Sequence, residues 1–166
     1  MKLKIADSLI AGFGFGSTSG VITTLGMIVG LYSSSSDRLA IIGGIFTVSV
    51  ADALSDALGE HISEESKENP LDADVRNITI STFLTKLIVG LSFVIPFVSL
   101  PVAHAVVVSI IYASLVLILL SLRIAKRTGQ NRLEVVAEHL LVGFAVVIIT
   151  FFLGKWVETA FSNNTV

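Results

Sequence analysis

An all-helical integral membrane protein is the fold class this sequence predicts, and three observations predict it. Apolar residues make up 53% of the 166 positions and charged residues only 14%, whereas a soluble domain carries roughly 25% charge. The mean hydropathy is +0.87. Apolar stretches near the roughly 20 residues that cross a bilayer as a helix recur five times, over about 6–33, 38–63, 77–98, 102–124 and 133–156. One domain is expected, 1–166, made of these five spans with no soluble domain attached. The net charge of −2 offers nucleic acid no concentrated basic face. With no cysteine in the chain, disulfides, thiolate catalysis, iron–sulfur ligation and Cys-based zinc sites are excluded. No covalent chemistry is indicated, so the chain is expected not to be an enzyme and to hold no permanently bound cofactor.

Each span has its own boundaries. Lys2 and Lys4 resemble the start of a signal peptide, but Asp7 and a run of glycines interrupt the apolar segment and no A-x-A site follows. The segment therefore reads as the first span, closed by Ser33–Ser36 and Asp37-Arg38. Gly12, Gly16 and Gly20 lie four apart and form a small-residue strip that lets another helix approach closely; plain helix packing is the expected use, and a subunit interface the further one. Neither G-x-G-x-x-G nor a P-loop is present, since no strand precedes the glycines and no Lys-Ser/Thr follows them. A charged linker, Glu64–Arg76 with Pro70, follows the second span. Pro96 bends the end of the third and Pro101 opens the fourth. A basic turn, Arg123–Arg132 with Gly129, leads into the fifth, where Lys155 and Trp156 form an interfacial anchor. Asn163-Asn164-Thr165 matches a glycosylation sequon, read as chance this near the terminus.

Loop charges set the expected orientation. Five spans put the N-terminus, the second-to-third loop and the fourth-to-fifth loop on one side. That side carries Lys2, Lys4, Lys67, Arg76, Arg123, Lys126, Arg127 and Arg132, and the other only Arg38 and Lys155. The N-terminus is expected in the cytoplasm and the C-terminus outside or in a lumen.

The second span carries Asp52, Asp56 and Glu60 at intervals of four, continued by Glu64. Four residues advance a helix by about 400°, so these acids share one face over about 12 Å. An ionised Asp at the bilayer centre costs about 2.5–3.5 kcal/mol even on lenient scales. Such a stripe must face a partner helix, a wet cavity or a cation. Carboxylates are natural ligands for Mn²⁺, Mg²⁺ and Ca²⁺ and serve Fe²⁺ acceptably, and crowded carboxylates also take up protons. One site that holds either protons or metal is the chemistry of a proton-coupled metal carrier. The structural alternative is pairing with buried bases. Lys86 is the one base inside a span, at a depth matching Asp56, and a Lys86–Asp56 pair would leave two carboxylates over. Glu134 and Glu138 share a face at the start of the fifth span; Glu138 extends a metal pathway or, equally, both acids favour a helix N-terminus. His61, His104 and His139 read as interfacial side chains rather than ligands.

Two segments carry a family resemblance. Phe15-Gly16-Ser17-Thr18-Ser19-Gly20-Val21-Ile22-Thr23-Thr24-Leu25-Gly26 resembles the first-helix signature of the vacuolar iron transporter and nodulin-like family. Ala51-Asp52-Ala53-Leu54-Ser55-Asp56-Ala57-Leu58-Gly59-Glu60-His61-Ile62-Ser63 resembles its second-helix signature. Gly90 and Pro96-Phe97 fit its third helix, and Leu140-Leu141-Val142-Gly143 through Leu153-Gly154 its last. The resemblance covers nearly the whole chain. It implies a homodimer that exports Fe²⁺ or Mn²⁺ from the cytosol in exchange for protons, with the first two helices of each subunit around a shared path. Asp52 and Glu60 match acidic positions of the pattern. The family has Asp where this chain has Ser19, and Met where it has Asp56, so one acid has in effect moved from the first helix to the second. The long Glu- and Met-rich cytoplasmic insert of the iron transporters is replaced by a short linker, as in nodulin-like members.

The expected function is therefore divalent metal transport by proton antiport. Asp52, Asp56 and Glu60 bind the metal, Glu64 is the entry ligand, Ser19 adds a neutral oxygen and Glu138 extends the path. The expected location is the plasma membrane of a prokaryote, or a vacuolar or organellar membrane of a eukaryote. Two rivals stand beside this expectation: a membrane scaffold or regulatory protein of the same fold that does not transport, and a carrier for another cation or a small solute with Lys86 neutralising one acid.

Overall fold

The computed structural model describes residues 2–162; the sequon at 163–165 lies outside them. The described residues form six helices and no strand: α1 (Lys2–Ser34), α2 (Arg38–Glu65), α3 (Asp72–Ser92), α4 (Val94–Ser99), α5 (Val102–Thr128) and α6 (Arg132–Phe161). Helices α3 and α4 together make one apolar length, so five helical stretches are long and apolar enough to cross a membrane, each 27 to 30 residues. The fold class expected from the sequence is the one observed, and the five expected spans fall on these five stretches.

Local chemistry explains where the helices start and stop. Asp37 accepts a hydrogen bond from Ala40 N (2.8 Å) and so caps α2. Helix α3 begins five residues earlier than its apolar run because Asp72 and Asp74 suit the positive end of a helix. The break between α3 and α4 falls at Phe93. Pro96, four residues after Ser92, has no N–H for the Ser92 carbonyl, and its ring crowds that carbonyl. Helix α5 ends at Gly129, whose φ of 72° is left-handed, after Lys126 and Arg127 in its last turn. Asn131 caps α6 by accepting from Leu133 N.

Two compact units divide the chain. The first is Met1–Val21 with Phe46–Ser92: the N-terminal part of α1, the C-terminal part of α2, and α3. Here α1 lies directly on α3. A Cβ added at Gly12 would sit 2.7 Å from the Ile78 carbonyl oxygen, one at Gly16 2.7 Å from that of Thr82, and one at Gly20 3.2 Å from that of Lys86. At Gly12 and Gly16 only glycine permits backbone contact this close. Ser81 donates to the Leu9 carbonyl (2.8 Å) across the same seam. The glycine strip is thus taken up by α3 of its own chain, the plain helix packing that its spacing favours. The intervals of four were read correctly as a close-approach surface, but sequence alone does not say whose helix approaches.

The second unit is Ile22–Ile45 with Phe93–Val166. Its core is apolar, with Ile28, Ile41, Ile45, Phe93, Phe97 and Ala105 fully buried. Phe93 packs edge-on against Tyr112 at 5.0 Å. Close approach recurs here: a Cβ at Gly154 would overlap Ser33 Oγ and the Gly30 carbonyl oxygen, and one at Gly44 would lie 2.7 Å from Met27 Sδ. Helix α6 buries only Val135, Gly143 and Gly154. Leu141, Ile148, Phe152 and Trp156 stand outward, as on a helix bathed in lipid.

Candidate cation site

The acidic stripe lies in the first unit, on the half of α2 that follows Phe46. Consecutive helical residues are about 100° apart, and the burial pattern of α2 follows from that. Ile41, Ile45, Ser49, Ala53 and Ala57 form a buried row; Gly43, Thr47, Ala51, Ser55 and Gly59 form an exposed row of small residues. Asp52 and Asp56 sit between the rows, each one residue after an exposed position and one before a buried one.

Lys86 fills the space beside them. It projects from α3 and is 1% exposed. Its ammonium makes ion pairs with Asp56 Oδ2 and with Asp52 Oδ2 at 2.6 Å, and donates to Ser19 Oγ at 2.8 Å. Ser19 in turn donates to Asp56 Oδ2 at 2.7 Å. The hydroxyl thus links ammonium and carboxylate, using its lone pair toward one and its proton toward the other. The contact with Asp52 is charge against charge, outside hydrogen-bond directions, so Asp52 Oδ2 is buried without a hydrogen bond. Both aspartate side chains keep an open edge, 28% exposed for Asp52 and 21% for Asp56.

The expected Lys86–Asp56 pair is therefore present, but it is half of a bridge. Asp52 is held as well, and one carboxylate of the first three, not two, is left beyond the lysine. Two carboxylates against one ammonium leave one negative charge in excess. The bridge follows from helix geometry: Asp52 and Asp56 are about 6 Å apart along α2, and an ammonium on a four-carbon stem fits between them. Nothing in the sequence fixes which turn of α3 faces α2, so the second contact was not legible.

The other expected ligands are placed separately. Glu60 is half-buried one turn beyond Asp56. Glu64 forms an ion pair with Lys67 three residues on. Glu138 is exposed on α6, in the second unit. Among the described residues, no three or more His, Asp and Glu side chains gather as a metal-binding group. Three hydroxyls near this level of the first unit went unremarked in the sequence: Ser49 Oγ and Thr82 Oγ1 are buried without hydrogen-bond partners, and Thr79 Oγ1 meets His61 Nδ1 at 3.2 Å. His61 thereby links α2 to α3.

Chemically, the cluster is a cation site that already holds a cation. Its donors are hard oxygens, two anionic and one neutral, and the charge they hold is the chain's own ammonium. No family model matches the chain, and no curated protein matches it. Fold and site define an all-helical integral membrane protein with a buried, ion-paired acidic cluster in one of its apolar helices.

Proposed function

We propose that the chain is a proton-coupled carrier of a divalent metal ion, Fe²⁺ or Mn²⁺, that exports the ion from the cytosol, as its resemblance to the vacuolar iron transporter and nodulin-like family implies. The observation that carries this reading is the Asp52–Lys86–Asp56 cluster with Ser19, inside apolar helices where charge is expensive and marks function. Glu60 and Glu64 continue the path toward the end of α2, and Glu138 extends it. The N-terminus is cytoplasmic by the loop charges. A homodimer completes the site: the small row of Gly43, Thr47, Ala51, Ser55 and Gly59 is exposed beside the open edges of both aspartates, and small residues at intervals of four suit close helix pairing in lipid. A second copy would cover those edges and add its own carboxylates, with α1 beside α2 around the path. The membrane is the plasma membrane in a prokaryote and vacuolar or organellar in a eukaryote. No covalent chemistry is assigned.

A second reading is favoured by the same cluster. Because Lys86 pairs both aspartates, they are also satisfied as a static network, as in a scaffold that does not transport. Proteoliposome flux with Fe²⁺, Mn²⁺, Mg²⁺ and Ca²⁺ and an internal pH dye separates the two: metal entry with counterflow of protons supports the carrier, and intact, silent dimers support the scaffold. In the carrier, metal binding weakens as pH falls, because protons compete for the same carboxylates. An all-oxygen site also lacks the soft contact that favours Fe²⁺ over harder ions. Asp56→Met should shift preference toward Fe²⁺, and Glu60→Gln should weaken binding of every metal. Metal flux indifferent to both substitutions would remove the acidic stripe from the mechanism.

A further inference from the structure

Given the transport function proposed above, we infer that Lys86 is a tethered rival of the transported ion: its ammonium holds the cation position between Asp52 and Asp56, and a divalent ion enters by displacing it. The oxygens around Nζ are the kind a divalent ion takes, two carboxylates and a hydroxyl. Among the residues whose burial is described, Lys86 is the one buried lysine or arginine.

The root of the lysine is fixed, whereas its tip stands at the end of a four-carbon stem. Gly16 and Gly20 of α1 press on its backbone: a Cβ at Gly16 would lie 3.2 Å from Lys86 N, and one at Gly20 3.2 Å from Lys86 O. The residue cannot withdraw by sliding its helix, so the ammonium leaves only by rotation about its own stem. Glu60 is where it goes. That carboxylate lies on the same face of α2, about 6 Å along the axis from Asp56, and has no ion pair of its own among the described residues.

Charge then selects the ion. Asp52, Asp56 and Glu60 with Lys86 sum to −2 when all are ionised. One divalent cation neutralises the set, with the ion on the two aspartates and the ammonium on Glu60. A monovalent ion gains no more from the aspartates than the ammonium it must evict, and the ammonium is present at the high effective concentration of a short tether. Sodium and potassium are therefore shut out, and divalent ions, with twice the Coulomb attraction to each carboxylate, are admitted.

The test is Mn²⁺ binding to the full chain in nanodiscs, read by the electron paramagnetic resonance of free Mn²⁺, with and without 100-fold excess Na⁺. Removing the rival in Lys86→Met should tighten Mn²⁺ at least about tenfold and make binding sensitive to Na⁺. Lys86→Arg keeps the charge but clamps carboxylates through a planar, two-pronged head, so it should weaken Mn²⁺ at least about fivefold. This second variant decides the matter if Lys86→Met does not fold. Equal Mn²⁺ affinity in wild type and both variants would overturn the rivalry and leave the transport reading standing. Absence of Mn²⁺ binding from all three would overturn both.

Discussion

The two units of this chain solve the same problem, holding helices together in an apolar medium, with opposite means. In the second unit, contact is made by shape: glycines at 44, 143 and 154 meet side chains and backbone of neighbouring helices around buried Ile, Phe and Ala. In the first, the backbones of α1 and α3 touch just as closely, but the seam also carries a lysine, two aspartates and a serine. Packing needs no buried charge, as the second unit shows. Charge in the first unit is therefore beyond what packing requires, and it is there that function is sought. Substitutions that treat the two units alike will break or sharpen this contrast.

The largest effect is expected at Lys86. Removing one partner of a buried ion pair typically costs about 3–5 kcal/mol, because the other charge is stranded; water defects and side-chain snorkelling reduce this in membranes. Lys86→Met should lower the thermal unfolding midpoint in detergent more than any single apolar truncation in the second unit. Lys86→Met/Asp56→Leu should regain only part of the loss, since Asp52 remains unpaired. Simple additivity of the two substitutions would mean that the contact carries no energy.

Next in size is Gly16→Leu. Its side chain would be driven into the Thr82 carbonyl, and overpacking of this kind costs about 1–3 kcal/mol, occasionally more. Gly59→Leu is the matched control on the exposed row of α2, where a Cβ meets nothing within 4 Å. It should leave the folded protomer as stable as wild type while reducing the dimer fraction in crosslinking. If Gly16→Leu is tolerated, α1 and α3 are not in backbone contact; if Gly59→Leu leaves the dimer intact, that row is not the interface. In the second unit, Gly154→Ala is expected to cost about 1–3 kcal/mol for the same steric reason, because its methyl would overlap Ser33 and the Gly30 carbonyl. A neutral Gly154→Ala in thermal unfolding would show that α1 and α6 can separate there at little cost.

Much of this was legible in the sequence, for identifiable reasons. The spans were, because a bilayer sets helix length and this chain punctuates it with Asp37, Pro70, Pro101 and Gly129. The break after Ser92 was, because Pro96 removes a donor. The acidic face of α2 was, because intervals of four survive in any helix. What the sequence withheld is everything that depends on which helix faces which. Gly12, Gly16 and Gly20 announce close approach without naming α3 as the partner. Lys86 announces a buried charge without saying that it reaches Asp52 as well as Asp56. The small row on α2 escaped notice because Thr47, Ala51 and Ser55 are unremarkable singly, and stand out only once their burial is known. Glu138 stands exposed on α6 in the second unit, and whether it joins the acidic path likewise depends on which helix it faces.

The smallest and most discriminating comparison is between two serines, each bound to a side chain on another helix. Ser19 accepts from the Lys86 ammonium and donates to the Asp56 carboxylate, so its hydroxyl is engaged with two charged groups. Ser121, fully buried on α5, donates to the Leu117 carbonyl at 2.6 Å. With its one proton given to Leu117, Ser121 Oγ can accept from His139 Nδ1, 2.7 Å away, when that nitrogen carries a hydrogen. Hydrogen bonds to charged groups contribute about 1.5–3 kcal/mol, and neutral ones about 1 kcal/mol. Ser19→Ala should therefore destabilise the protein by the larger amount and Ser121→Ala by about 1 kcal/mol, since half-buried His139 can turn its N–H to water. The nitrogen shifts of His139 should report the Nδ1–H form in wild type and lose that preference in Ser121→Ala. Equal costs for the two serines would erase the energetic distinction between the units, and would mean that the charges around Ser19 are screened as if the cluster were open to water.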